Sequence, residues 1–144
     1  LSVGEAAFED PVELSGVLII REGELLLLHR EEEGSTDDSW WEVPGGKVEY
    51  KESPTEAAVR EAKEETGVDV KLRKPFFSGE FQNNNQIFLW HGYIAETEEK
   101  PGIKEEKFSE LDWLTASELD EVKLAPNLRQ ILPALRKVLK AREE

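Results

Sequence analysis

Ser53-Pro54-Thr55-Glu56 and Gly67 bracket a stretch with few conformations open to it. The serine can accept from the amide three residues on, the glutamate there can reach back, and proline suits the first helical position. Glycine then supplies the left-handed residue that ends a helix after Thr66. Residues 54–66 are therefore read as a helix, and strands flank it on both sides. Val12 to Ile20 and Glu24 to Arg30 form a hairpin around Arg21-Glu22-Gly23, with a continuous apolar run from Leu25 to Leu28. Residues 31–39 are polar and aperiodic and read as an exposed loop bordering a cleft. Trp40 to Val43 extends as a strand until Pro44-Gly45-Gly46 turns the chain sharply. Val68 to Leu72, Phe76 to Phe81, Gln86 to Ala95 and Phe108 to Leu114 are further strands, separated by Pro75, Asn83-Asn84-Asn85 and Pro101-Gly102. Ser117 to Leu119 is a short helical turn. From Pro126 onward Leu128, Ile131, Leu132, Leu135, Val138 and Leu139 recur at helical spacing, with Pro133 expected to kink the helix without ending it. The pattern implies an α/β fold, a mixed sheet sandwiched between helices, as one domain over residues 1–144.

The charge narrows the partners. Eighteen basic against 32 acidic residues give a formal net charge of -14, so a nucleic-acid backbone would meet repulsion over most of the surface. A small polyanion can still bind an acidic protein through an intervening cation. The absence of cysteine removes disulfides, thiolate metal sites and cysteine nucleophiles, leaving oxygen and nitrogen to do the chemistry. Residues 1–14 carry Glu5, Glu9, Asp10 and Glu13 and no long apolar run, so neither a signal peptide nor a membrane span is expected, and the location is expected to be cytoplasmic.

The chemistry concentrates on the bracketed helix. At 100° per residue Glu61, Glu64 and Glu65 share one face, an arrangement that costs roughly 0.2–0.5 kcal/mol per like-charge pair. A divalent ion would remove that conflict, and Mg2+ prefers a few carboxylates together with water and phosphate oxygens. The alternative is a solvated acidic face supported by the Glu56–Arg60 and Arg60–Glu64 spacings.

The complete spacing decides between them. Gly46, Glu52, Arg60-Glu61, Glu64-Glu65 and Gly67, with aliphatic Ala62 and Val68, match the signature of the Nudix hydrolase family without a gap from Gly46 to Val68. The resemblance implies a loop-helix-loop on an α/β/α sandwich with a mixed β-sheet, and hydrolysis of a diphosphate linkage in a nucleoside diphosphate derivative. It implies Mg2+, with Mn2+ as a substitute, held by Glu61, Glu64, Glu65 and the Gly46 carbonyl. Arg60 resembles the family arginine that orients the glutamates, and Glu52 the one that fixes the loop against the helix. Water would attack phosphorus, with Glu61 or a loop glutamate, Glu105 or Glu106, as the proton acceptor. Arg30 stands where relatives use a basic residue on substrate phosphates, while His29 alternates to the opposite face.

Substrate choice lies outside that box. Trp41, Phe81 and Phe88 are candidates to stack on a base, although aromatic residues on strands are more often core, and Asn83 to Asn85 either read base edges or simply turn the chain. Trp40 to Lys47, WWEVPGGK, resembles members acting on nucleoside triphosphates more than dinucleoside polyphosphate hydrolases, which tend to have Pro-Lys-Gly there. Gln82 and Asn83 occupy the region where many ADP-ribose hydrolases place a proline. The readings kept beside a nucleoside triphosphate are therefore an ADP-ribose, nucleotide-sugar or dinucleoside polyphosphate hydrolase and a non-catalytic nucleotide-sensing module. Isopentenyl diphosphate isomerase shares the fold but needs a cysteine. The expected partner is a small nucleotide, with neither nucleic acid nor membrane, and a homodimer is consistent with the habits of the family.

Overall fold

A computed structural model of the chain describes residues 10–32 and 35–143. Its strands are β1 (Val12–Arg21), β2 (Glu24–Glu32), β3 (Ser35–Glu42), β4 (Gly45–Lys47), β5 (Lys71–Asn83), β6 (Gln86–Glu96) and β7 (Phe108–Leu114). Its helices are α1 (Pro54–Thr66), α2 (Pro126–Gln130) and α3 (Leu132–Glu143), with a 3-10 turn at Glu118–Glu121. The strand order is β3-β2-β1-β6-β5, with β4 added to β1 and β7 to β2. β1 runs parallel to β6, and the other pairings are antiparallel, so the sheet is mixed.

Two left-handed residues, Glu22 at φ 52° and Gly23 at φ 79°, close the first hairpin, a two-residue turn whose twist matches that of the strands. β1 and β2 pair only beside it, at Ile20 with Leu25 and Arg21 with Glu24. Beyond that point they part: β1 takes β4 and β6, while β2 takes β3 and β7. This divergence opens the sheet beside the Pro44-Gly45-Gly46 segment.

The alternation of the strands feeds two cores. Val17, Ile19, Leu26 and Ala95 pack with Ala58 and Ala62 of α1. Leu18, Leu25, Leu27 and Trp90 face the other way, against Leu128 of α2 and Leu135 and Leu139 of α3. Those three helical leucines are fully buried, each stabilising by roughly 1.5–3 kcal/mol. Helices thus cover both faces of the sheet, giving the expected α/β/α layering. On the α1 side, Ser78, His91 and Glu13 form a hydrogen-bonded row across β5, β6 and β1, at 2.6 and 2.7 Å.

Four local expectations change. Much of the segment read as a loop over 31–39 is extended strand, in which Glu32 registers with Ser35 and, after a register shift, Arg30 with Trp40; residues 33–34 lie outside the described residues. A ladder of backbone hydrogen bonds needs no apolar period. Val68 to Leu72 and Phe76 to Phe81 are not two strands: residues 68–70 precede the strand, and β5 runs unbroken through Pro75 with bulges on either side of it. β5 lies at the edge of the sheet, where a missing N–H is tolerated. Pro133 does more than kink the C-terminal helix. Ile131, at φ -110° and ψ 15°, separates α2 from α3, and Pro133 sits in the first turn of α3. Finally, Gly45 and Gly46 have no positive φ and sit in extended β4, so backbone approach and not turning explains them.

Candidate active site

The helix α1 forms as its caps dictate. Ser53 Oγ accepts from the Glu56 amide at 3.1 Å, Glu56 Oε1 accepts from the Ser53 amide at 2.9 Å, and Gly67 takes φ 80°. Ser15 Oγ donates to the Pro54 carbonyl at 2.5 Å, tying β1 to the first turn. Alanines at 57, 58 and 62 bring the helix close to the sheet, and its last two turns carry the acidic groups.

Arg60 organises them. Its guanidinium grips Glu52 through Nε at 2.7 Å and Nη2 at 2.9 Å, and Nη2 also donates to the Lys47 carbonyl at 3.0 Å. Nη1 donates to Glu61 Oε1 at 2.9 Å and Glu64 Oε2 at 3.1 Å. Five donors in a fixed plane permit this; a lysine would not. These bonds and the Glu49 amide hold the Glu52 carboxyl down at about 2. Glu52 therefore joins the loop after β4 to the helix.

Glu65 is fully buried, its Oε1 accepting the Gly45 amide at 2.9 Å while Oε2 faces Lys107 Nζ at 3.0 Å. Burial pushes its pKa up to about 8 against the pull of Lys107 and that amide. Burial likewise raises Glu61, with Arg60 opposing. Gly46 on β4 lies under Glu61, where an added Cβ would meet Glu61 Cδ at 2.6 Å. Glu64 is the exposed member, at 48% side-chain exposure. As these carboxylates stand, no three acidic or histidine side chains among the described residues converge into a ready-made cage. Arg60 draws Glu61 and Glu64 to itself, and Lys107 holds Glu65.

The other candidates spread around this centre. Glu105 stands 3.4 Å from Lys107 Nζ, which links it to Glu65, whereas Glu106 is exposed. Arg30 lies on β2 with its guanidinium on both oxygens of Glu42, at 2.5 and 3.2 Å, and 5.4 Å from the Phe108 ring. His29 is turned elsewhere, between Ser39 and Ser109. A cleft of about 240 Å3 opens where the strands diverge, lined among others by Arg30, Trp40, Gly46, Phe81, Phe88 and Asn127. Phe81 and Phe88 stack at 5.2 Å and 19°.

Trp41 does not line that cleft. Its ring packs against the core and His29, at 4.9 Å, and its backbone is bound to Lys123 and Ala125. Trp40 lines the cleft and donates its indole N–H to Glu42 at 3.2 Å. The sequence reading also passed over Asn127 and Lys107. Proline before Asn127, at a helix start, placed it on a structured turn; Lys107 directly follows two acidic candidates.

Residues 12–135 match the model of the NUDIX domain. The chain belongs to the NUDIX family. Among its NUDIX relatives is 8-oxo-dGTP diphosphatase from Escherichia coli (strain K12), 30% identical over 98 residues that cover 67% of this chain and 74% of that protein. CTP pyrophosphohydrolase from the same organism is 29% identical over 115 residues, 80% of this chain and 84% of that protein. Of solved structures, the E. coli ORF135 protein superposes with a TM-score of 0.78 at 26% identity, covering 98% of this chain and 97% of that one. The MutT protein from Methanosarcina mazei Go1 has a TM-score of 0.78 at 24% identity, covering 92% and 99%. This NUDIX chain is a hydrolase of the pyrophosphohydrolase kind, and no helix among its described residues is long and apolar enough to cross a membrane.

Proposed function

We propose that the chain is a Mg2+-dependent pyrophosphohydrolase that cleaves a diphosphate linkage in a nucleoside triphosphate-type substrate, with Glu61, Glu64, Glu65 and the Gly46 carbonyl as the cation's ligands. The observation that carries the reading is that Arg60 holds Glu61 and Glu64, the Gly45 amide holds Glu65, and Gly46 lies against the Glu61 carboxyl while lining an aromatic cleft.

The residues fit a divalent cation. Glu65 Oε2 is buried with only its ion pair to Lys107, burial raises the pKa of Glu61, and glycine at 46 leaves room beside the Glu61 carboxyl. Oxygen donors of this kind suit Mg2+. When bound, the cation would neutralise phosphate oxygens and lower the pKa of an attacking water. The chain's own residues supply the rest. Arg60 and Glu52 keep the glutamates in register with β4. Glu105, tethered beside Glu65 through Lys107, is the better placed of the two loop glutamates to accept a proton from water. Arg30 extends from β2 along the cleft wall as the group for a phosphate.

At about 240 Å3 the cleft falls below the roughly 300–1,000 Å3 of sites that enclose whole drug-sized ligands, so it suits one planar ring system with the phosphates outside. Phe81, Phe88 and Trp40 offer faces to a base and Asn127 an amide to its edge. Relatives named for 8-oxo-dGTP and CTP support a nucleoside triphosphate over an ADP-ribose-like substrate. The test is product release in Mg2+ across nucleoside triphosphates, ADP-ribose, nucleotide sugars and dinucleoside polyphosphates, beside a Glu64→Gln control. Turnover of a triphosphate to monophosphate and pyrophosphate, lost in the control, is the expected result. Tight binding of a nucleotide with no cleavage of any compound would replace the hydrolase by a sensing module.

A further inference from the structure

Lys107 is placed by the backbone around it. The loop before β7 is fastened to the end of α1, since Gly102 N–H donates to the Thr66 carbonyl at 3.0 Å and Lys104 N–H to that of Glu65 at 3.1 Å. These are carbonyls a helix C-terminus leaves without partners of its own. Phe108 N–H closes a turn onto the Glu105 carbonyl at 3.2 Å, and the ammonium sits 5.1 Å over the Phe108 ring. From there Nζ reaches Glu65 Oε2 at 3.0 Å and Glu105 Oε1 at 3.4 Å.

Glu65 offers just two oxygens, and Oε1 is taken by the Gly45 amide. Oε2 is thus the oxygen available to a cation, and an ammonium and a divalent ion would seek it from the same side while repelling each other. A lysine is suited to such a place: a compact charge on a flexible stem that can leave without dragging its loop. Its side chain is 40% exposed, so the released amine has solvent to enter.

We propose that Lys107 is an exchangeable internal cation: it pairs with Glu65 and tethers Glu105 in the metal-free protein, and is released when a divalent ion takes Glu65. The proposal rests on the cation-binding reading above and makes Lys107 a positioning residue. Exchange has two consequences. Deleting the charge removes a competitor, so a divalent ion binds more tightly. Filling the site frees the amine.

Both are measured on the full chain. Metal-free wild type, Lys107→Gln and Lys107→Arg are titrated with Mn2+ by calorimetry, with thermal unfolding in chelator to verify each fold. Lys107→Gln is expected to bind Mn2+ at least about tenfold more tightly, as removal of a unit charge a few ångströms away demands, and Lys107→Arg to stay near wild type. In wild type alone, amine labelling of Lys107 read by peptide mass spectrometry is expected to rise severalfold when Mn2+ saturates the site. Unchanged labelling, or equal or weaker Mn2+ binding by Lys107→Gln, overturns the exchange while leaving the metal reading intact. No Mn2+ binding by wild type overturns both.

Discussion

Substituting alanine at each of two adjacent glycines should separate folding from chemistry. At Gly45 an added Cβ would lie 2.5 Å from the Ser15 carbonyl oxygen and 2.9 Å from Gly16 Cα, both backbone atoms of the paired strand β1. The ladder must open to admit it, which costs about 1–3 kcal/mol as overpacking does. At about 4 °C per kcal/mol for a chain of this size, Gly45→Ala should lower Tm by roughly 4–12 °C. At Gly46 the obstacle is the Glu61 carboxyl, with Cδ at 2.6 Å, the far end of a side chain. Glu61 can yield, and the lost backbone freedom of alanine in the unfolded chain returns about 0.4–1 kcal/mol, so Tm should stay within about 3 °C. The carboxyl must retreat by roughly 0.9 Å to restore carbon contact distance, however, and a misplacement near 1 Å costs on the order of 100-fold in rate. Thermal unfolding by circular dichroism and pyrophosphate release from a nucleoside triphosphate measure the two effects. A Gly46→Ala variant within threefold of wild-type kcat/KM would refute the placement of Glu61 at the reacting centre. A Tm loss equal to that of Gly45→Ala would refute the claim that only a side chain stands in the way.

The paired tryptophans should also divide: Trp40→Ala should raise KM for nucleotides with Tm nearly unchanged, and Trp41→Ala should cost about 2–4 kcal/mol in denaturant unfolding because it empties part of the core. Ser53→Ala removes the acceptor that caps α1 and should lower stability by about 1 kcal/mol, with kcat within a few-fold of wild type. Glu52, held at about 2 against an ordinary 4.5, contributes stability that is present above pH 4.5 and lost as pH falls towards 2. The Tm difference between wild type and Glu52→Gln, measured across pH, should therefore shrink through that window; a gap that stays constant would remove the Arg60–Glu52 pair as its cause.

Local signals were the legible ones. Ser53, Glu56 and Gly67 act through atoms three or four residues away, so α1 and the spacing of its glutamates could be read from the chain. What depended on register could not. Trp40 and Trp41 are neighbours in sequence, and which of them meets the cleft is fixed by β3 pairing with β2, Trp40 opposite Arg30 and Trp41 opposite His29. Residues 35–42 join a sheet through backbone bonds that leave no apolar pattern, and Pro75 is tolerated because β5 has an open edge. Lys107 and Asn127 acquire their settings from segments far along the chain, Glu65 in one case and the aromatic wall of the cleft in the other. The break in the chain was legible, and it falls at Pro44; the need for glycine at 45 and 46 was not, because it arises from Ser15 and Glu61, which fold against them.

In the proposed site the α1 glutamates hold the cation that makes diphosphate cleavage possible. The most direct test is a Mg2+ titration of chelator-treated wild type, Glu61→Gln and Glu65→Gln, following pyrophosphate release from the best nucleoside triphosphate. No turnover is expected without Mg2+, with full recovery in wild type and at least about a 100-fold loss in both variants that saturating Mg2+ does not repair. Turnover that persists in chelator, or variants restored to wild-type rate, would remove these glutamates as the cation's ligands.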